Sequence, residues 1–347
     1  MSEIDTKLFV IDDVARDDAK LAEAAAMLRA GKVVAIPTET VYGLGASIDC
    51  DEAIKNVFLA KGRPQDNPLI VHVDRVEMAK ELYADFPPEA QALTDAFWPG
   101  PLTIILPKTE RVSATVSGGL DTVAVRMPSD PIAHRLIELA GVPIAAPSAN
   151  LSGYPSPTTA RHVQRDLTGK IDGIVCGPDC QVGVESTVIS LAGPVPELLR
   201  PGAVTLEQLR EVLGRCEASP AILHMLREGE VAASPGMKYK HYSPKANVVI
   251  LKGDLPAYCA YLKDHAGPGV YAMCFDGEEG ALPVPAVPYG HRESDEEQAR
   301  HLFAVLRDFD DLGAKTVYAR SPKEEGVALA VYNRLLRAAA FEVIDLG

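Results

Sequence analysis

The chain has 347 residues, 47% of them hydrophobic and 24% charged, which is the composition of an ordinary globular protein. This length predicts two domains. Acidic residues outnumber basic ones by 48 to 34, so the formal net charge is −14. That charge argues against a protein whose main task is tight binding to nucleic acid or to an anionic membrane, although it allows a small cationic pocket.

The apolar segments and the cysteines bear on the compartment. No apolar stretch approaches the ~20 residues of a membrane-spanning helix. Residues 1–13 lack the apolar core of a signal peptide, so we expect a cytoplasmic protein. Of six cysteines, only Cys176 and Cys180 are close in sequence. We interpret them as reduced thiols, and the alternative is a redox pair or half of a metal site.

Helical and strand patterns alternate through the first two hundred residues and favour an α/β domain with a largely covered sheet. Apolar periodicity and capping residues predict helices at 18–30, 51–61, 75–83, 88–97, 131–140, 158–167 and 205–213. Short β-branched segments between prolines and glycines predict strands at 32–36, 69–73, 102–106, 122–126, 173–176 and 186–191. These patterns do not predict the order of the strands.

A connector and a second α/β unit are predicted after the first domain. Segment 232–244 has two prolines and concentrates cations and tyrosines in an otherwise acidic chain. The second unit has predicted strands at 248–251, 270–273 and 316–319 and predicted helices at 293–310 and 327–338. We therefore divide the chain into a first domain (1–212), a connector (213–245) and a second domain (246–347).

Polar side chains cluster where predicted strands end. Segment 36–46 (IPTETVYGLGA) leaves a strand and is predicted to be a loop. Its glycines allow a ligand to approach the backbone closely, and its hydroxyls can bind that ligand. Segments 145–153, 185–188 and 199–202 repeat this pattern. Because the sequence has neither a GxGxxG motif nor a Walker A motif, ATP would have to be bound by another design.

Four residues are candidates either for anion binding or for a structural role. Pro64 favours an extended conformation at Arg63, so Lys61 and Arg63 are predicted to face one polyphosphate or carboxylate. A bare K-x-R is, however, more typical of two solvated surface cations. Arg126 precedes a proline at a strand end and is predicted to clamp a carboxylate or to form an internal ion pair. His72, inside an apolar strand, is more typical of a structural residue.

Seven motifs, taken in order, resemble the YrdC/Sua5 family of threonylcarbamoyl-AMP synthases. They are PTETVYGLGA, KGRPxxNPLIVH, WPGPLT, DTVAVRMP, APSANLSG, VESTVI and LLRPG, and they lie between residues 37 and 202. The segment SPGMKYKHYSP and the unit after it resemble the longer, Sua5-type form. Seven ordered motifs are far more specific than any one of them, and the resemblance extends over essentially the whole chain.

The resemblance implies a twisted YrdC-like α/β domain followed by a smaller Rossmann-like α/β domain, with the connector as a lid over the nucleotide. It implies synthesis of threonylcarbamoyl-AMP and pyrophosphate from L-threonine, bicarbonate or CO2, and ATP with Mg2+, for N6-threonylcarbamoyladenosine in tRNA. The product would pass to a tRNA threonylcarbamoyl transferase. No metal held by the protein, no membrane and no tight nucleic-acid binding are expected.

The resemblance also implies a role for each matching residue. The catalytic, phosphate-facing residues are Lys61, Arg63, Ser148 and Asn150. Further positions around ATP are Asn67, Thr122, Ala146, Ser156, Arg200, Tyr239 and Tyr242. The positions around threonine are Thr40, His72, Arg126 and Ser186. Three alternatives stay open: an RNA-binding module with a concave cationic surface, a C-terminal unit with its own regulatory ligand, and an adenylate-forming enzyme for another amino acid.

Overall fold

The computed structural model describes residues 4–65, 67–224 and 242–347. In the first part of the chain the strands are β1 (Lys7–Val10), β2 (Val34–Ile36), β3 (Gly43–Ser47), β4 (Ile70–His72), β5 (Leu102–Pro107), β6 (Thr122–Arg126), β7 (Ile144–Ala145), β8 (Gly173–Cys176), β9 (Thr187–Ser190), β10 (Glu197–Arg200) and β11 (Glu217–Ala218). The helices are α1 (Asp18–Arg29), α2 (Asp51–Lys61), α3 (Val76–Lys80), α4 (Pro88–Phe97), α5 (Ala114–Ser117), α6 (Pro131–Ala140), α7 (Ala160–Leu167) and α8 (Leu206–Leu213).

The second part of the chain contains five strands and three α-helices within residues 242–347. The strands are β12 (Asn247–Lys252), β13 (Val270–Cys274), β14 (Ala286–Pro288), β15 (Thr316–Arg320) and β16 (Val343–Asp345). The helices are α9 (Leu255–Asp264), α10 (Asp295–Asp311) and α11 (Ala328–Ala338). Short 3₁₀ turns lie at Pro220–Ile222 and Glu279–Ala281.

Two β-sheets form the core, as the alternating patterns predict. The larger is mixed and has the order β1-β8-β2-β3-β7-β4-β6-β5-β9-β10-β11. The smaller has the order β14-β13-β15-β12-β16, and all its pairs are parallel, which is typical of a Rossmann-like unit. Residues 217–218 complete the larger sheet and residue 247 begins the smaller one, while the domain limits at 212 and 246 stay predictions. None of the helices in the described ranges combines the length and apolar character needed to span a bilayer.

Segment 36–46 is not one loop, contrary to the prediction. Its second half belongs to β3, a fully buried strand that pairs antiparallel with both β2 and β7. A Cβ at Gly45 would lie 3.0 Å from Ile144 Cγ2 and 3.0 Å from Val34 O, so only glycine lets the neighbouring strands come this close. The prediction was wrong because glycine is depleted in strands and here serves close packing instead.

Buried polar contacts join the two sheets and their helices. Arg307 of α10 pairs with Asp166 at 2.7 Å and donates to Pro155 O at 2.6 Å. Helix α10 also packs directly on Gly183, where a Cβ would lie 2.3 Å from the Cα of Arg300. The apolar core of the second unit extends across this boundary to Val41, Val184 and Tyr242. The second unit therefore lies against the segments that leave the larger sheet.

Candidate active site

A cavity lies where strands of the larger sheet end. Parallel strands β4 and β6 place His72 beside Arg126, and β10 ends at Arg200. The carboxyl ends of the neighbouring parallel strands β4 and β6 meet at one edge of the sheet, and Arg200 lines the same cavity. Eleven of the residues predicted for the site line the cavity: Thr40, Lys61, Arg63, His72, Arg126, Ala146, Ser148, Asn150, Ser186, Arg200 and Tyr242.

Four predicted residues are not among those that line it. Thr122 begins strand β6 whereas Arg126 ends it, a separation of ~13 Å at ~3.3 Å per strand residue. Asn67 and Ser156 are buried, and the Ser156 hydroxyl donates to the carboxylate of Glu185. Tyr239 lies outside the described residues. The nucleotide-binding roles of these four residues stay predictions.

Lys61 reaches the cavity for a different reason from the one predicted. It is the last residue of helix α2, and Gly62 turns the chain with a φ of 62°, so residues 61–63 are not an extended run. The side chain is 4% exposed, which excludes a solvated surface cation. Its Nζ donates to Ser148 O, to Asn150 O at 2.7 Å and to Asn150 Oδ1 at 3.3 Å. Lys61 thus holds the 148–150 turn in place.

The electrostatics of Lys61 depend on what occupies the cavity. Burial, and after it the charge of Arg63, lower the pKa of the Lys61 ammonium well below its usual value. Three acceptor oxygens around Nζ match the three donors of an ammonium and oppose this effect. A polyphosphate beside Lys61 and Arg63 would stabilise the charged form further. The pair is therefore suited to an anionic ligand.

Arg126 forms the internal ion pair that the sequence left open as one of its two roles. Its Nη2 forms an ion pair with Glu39 Oε1 at 2.6 Å, and its Nη1 donates to Thr40 Oγ1 at 2.7 Å. Its Nε donates to Gly100 O at 3.3 Å. The guanidinium nevertheless lines the cavity. It is held in place by neighbouring groups, and its role as a carboxylate clamp stays a prediction.

His72 is a neutral, buried side chain. It is 4% exposed, and burial together with the nearby Arg126 lowers its pKa to about 3. Its Nδ1 lies 3.2 Å from Ile70 O, which fixes the ring against its own strand. These contacts agree with the interpretation of His72 as a structural residue. Its ring also lines the cavity.

Arg200 and Ser186 join the predicted nucleotide side of the cavity to the predicted threonine side. Arg200 donates from Nε to Ser186 O at 3.0 Å and from Nη2 to Ser186 Oγ at 3.1 Å. Ser186 Oγ also lies 2.8 Å from Thr103 Oγ1. Burial lowers the pKa of Arg200 to about 10, so it stays charged at neutral pH.

Sequence reasoning missed Glu185 as a cavity residue. It precedes Ser186 in the VESTVI motif and lines the cavity. Its carboxylate accepts from Ser156 and from Arg334 of α11. Burial would raise the pKa of Glu185, but Arg334 and then Arg200 hold it below its usual value. The sequence signal for Glu185 is a carboxylate next to a serine at the start of a strand. Its partner Arg334 lies 149 positions further along the chain.

The connector contributes Tyr242 to the cavity. This residue is 5% exposed, adopts a φ of 65° and lies with its ring centroid 5.1 Å from that of Phe303 in α10. A positive φ is uncommon for a residue other than glycine, so the surrounding packing fixes this conformation. The chain therefore enters the second unit directly past the cavity.

The six cysteines are unpaired, and Cys176 and Cys180 are buried.

The family models agree with the motifs. One described as "Telomere recombination", which takes in Sua5, YciO and YrdC proteins, matches residues 26–202. The chain belongs to the Sua5/YciO/YrdC family. A second model, described as "Threonylcarbamoyl-AMP synthase, C-terminal domain", matches residues 204–340, so the Sua5-type form is confirmed.

Relatives of Sua5 type match along the whole chain. The threonylcarbamoyl-AMP synthases of Pyrococcus abyssi and Bacillus subtilis are each 44% identical to it, over 94% and 96% of this chain and 96% and 97% of theirs. A crystal structure of P. abyssi Sua5 complexed with L-threonine has a TM-score of 0.88 and 42% identity, covering 98% of this chain and 99% of that one. The predicted two-part α/β fold is confirmed by this similarity.

Proposed function

We propose that this protein is a threonylcarbamoyl-AMP synthase, a nucleotidyltransferase that uses ATP, L-threonine and bicarbonate or CO2. One observation carries the proposal: Lys61, Arg63 and Arg200 share a cavity with Arg126, in a chain whose full-length relatives bear that enzyme name. The cytoplasmic location expected from the sequence and the transfer of the product to a tRNA threonylcarbamoyl transferase are part of the same proposal.

The nucleotide side has the charge that adenylyl transfer requires. Lys61, Arg63 and Arg200 would neutralise the triphosphate, and Ser148 and Asn150 lie on the turn that Lys61 fixes. Phosphoryl-type transfer depends mainly on positioning and charge stabilisation. Asn67, Thr122 and Ser156 would complete this side only after a rearrangement or through backbone contacts, and Tyr239 is proposed for it from the resemblance alone.

The amino-acid side offers a cation and neutral hydrogen-bonding groups. Arg126 would bind the carboxylate of threonine, while Thr40, His72 and Ser186 would contact its other polar groups. A neutral His72 adds no competing positive charge at the amine. This side of the cavity would present the amine toward the nucleotide side.

The reaction consists of two bond-forming steps. The free amine of threonine attacks CO2 and releases a proton to water, or attacks bicarbonate with loss of water, and in either case forms a carbamate. A carbamate oxygen then attacks the α-phosphorus of ATP, and pyrophosphate leaves with the electron pair of the broken P–O bond. Since a carbamate and its adenylate both react with water, a lid is useful, and the connector with Tyr242 is the proposed one.

Mg2+ enters the proposal as part of the substrate MgATP. The carboxylate that lines the cavity in the described residues is Glu185, and its oxygens accept from Ser156 and Arg334. The described residues that line the cavity therefore do not provide several carboxylates that could bind a resident metal ion. The metal would therefore be held by the phosphates and water.

The test is pyrophosphate release that depends on ATP, bicarbonate and an amino acid. We expect release with L-threonine and a product with the mass of threonylcarbamoyl-AMP. Activity with a different amino acid would favour the alternative adenylate-forming enzyme. RNA retention on a filter without pyrophosphate release would favour the RNA-binding alternative, although the cations described here line a cavity and the net charge is −14.

A further inference from the structure

We propose that Glu39 is a positioning residue that neutralises Arg126 and thereby limits the affinity of the threonine carboxylate subsite. The inference rests on the proposed function, because it takes Arg126 as the residue that binds the carboxylate. The motif resemblance implies no role for Glu39.

The geometry places Glu39 behind the guanidinium. Arg126 lines the cavity, whereas Glu39 is absent from its wall and is 9% exposed. The 2.6 Å ion pair therefore occupies one side of Arg126, and a carboxylate in the cavity approaches another. Burial would raise the pKa of Glu39, but the charge of Arg126 holds it below its usual value, so Glu39 is ionised at neutral pH.

Neighbouring titratable groups do not replace this charge. His72 is neutral near pH 7. Asp130 caps helix α6 by accepting from the backbone N–H groups of Ile132 and Ala133, each at 2.9 Å. Its carboxylate is therefore engaged with the helix terminus. Glu39 supplies the negative charge in direct contact with Arg126.

The hydroxyls of Thr38 and Thr40 determine which hydrogen-bonding groups of a ligand the subsite can accept. Thr38 donates its proton to Val41 O at 2.6 Å, so in the 2.9 Å contact between the two hydroxyls Thr40 is the donor. Arg126 donates to Thr40 Oγ1. With its proton engaged, Thr40 offers a ligand only an acceptor. The subsite thus fits a carboxylate at Arg126 and an N–H or O–H group at Thr40.

Removal of the Glu39 charge makes the subsite more positive. E39Q keeps the size of the side chain and removes the charge. We expect L-threonine to bind roughly tenfold more tightly to E39Q, because an anion then meets an uncompensated guanidinium in a poorly screened site. E39D keeps the charge and should bind threonine within about twofold of the wild type.

The experiment measures Kd for L-threonine by calorimetry on the full chain. D166N is the matched control, because it breaks the buried pair with Arg307 without touching the subsite, and its Kd should equal that of the wild type. Tighter binding in E39Q alone supports the proposal. Unchanged or weaker binding in E39Q overturns it, and weaker binding would place Glu39 in contact with the substrate ammonium.

Two further measurements separate the inference from the proposed function. R126Q should lose threonine binding; if it does not, the carboxylate assignment itself fails. If R126Q loses binding while E39Q equals the wild type, only the role of Glu39 fails. Should E39Q not fold, the wild type alone decides: L-threonine amide, which lacks the carboxylate, should bind within about tenfold of L-threonine, and a much larger loss would overturn the proposal.

Discussion

Arg334 of α11 donates from its Nε to Oε2 of Glu185 at 2.9 Å, and 0% of the arginine is exposed. The same guanidinium donates to Pro201 O at 2.6 Å and to Glu185 O at 3.1 Å. A side chain of the second unit therefore fixes the segment that carries Ser186, inside the proposed active site. This contact gives the second unit a structural role in the site.

R334M should weaken both folding and activity. The variant breaks the buried ion pair and leaves the Glu185 carboxylate with Ser156 as its donor, which costs about 3–5 kcal/mol of stability. The Glu185–Ser186 segment also loses the support of Arg334. The control is R165A, which removes the exposed pair with Asp311 across the same boundary and should cost less than about 1 kcal/mol. Urea denaturation and pyrophosphate release measure the two effects. Wild-type stability in R334M would contradict the structural role.

K61M should lower kcat by at least about a hundredfold, since it removes a cation at the phosphates and frees the 148–150 turn. Lys55, which lies in the same helix with 47% of its side chain exposed, provides the control K55M. Pyrophosphate release under saturating ATP is the measurement. An effect of similar size in both variants would show that the helix, and not the buried ammonium, is what matters.

His72 predicts a pH dependence of stability. In the unfolded chain it takes up a proton as the pH falls through ~6.5, the ordinary histidine pKa. In the folded protein it does so only near pH 3. Stability is therefore lost as the pH falls, by about 2 kcal/mol between pH 7 and pH 5 from this group. H72Q should flatten the curve by that amount in urea titrations. An unchanged slope would mean that His72 takes up a proton at the same pH in the folded protein as in the unfolded chain.

G183A should push α10 away from the segment that leads to Glu185. Its new Cβ would lie 2.3 Å from the Cα of Arg300, and overpacking of this kind costs about 1–3 kcal/mol. G214A also places a side chain at a positive φ, 73° against 83°, but its Cβ meets no neighbouring atom within 4 Å. A comparison of the thermal unfolding of G183A and G214A isolates the steric part of the destabilisation. Equal destabilisation would show that the boundary adjusts without cost.

Much of the site was predictable because its residues lie in local motifs at strand ends. Arg126 before Pro128 and Ser148 after β7 follow directly from that rule. The pairing of Arg334 with Glu185 was not predictable, since the sequence offers 34 basic residues and does not tell which of them is buried. The extended run predicted at 61–63 and the loop predicted at 43–46 were wrong for different reasons. Gly62 ends helix α2 in a left-handed conformation, and Gly45 lets the neighbouring strands pack closely.

The most direct test of the proposed function follows labelled bicarbonate into the product. The protein is incubated with MgATP, L-threonine and isotopically labelled bicarbonate, and the adenylate is identified by mass spectrometry. We expect one labelled carbon in threonylcarbamoyl-AMP, with one pyrophosphate released per adenylate. Pyrophosphate release without label in the adenylate, or no adenylate at all, would contradict the proposal that this cavity joins a carbamate of threonine to AMP.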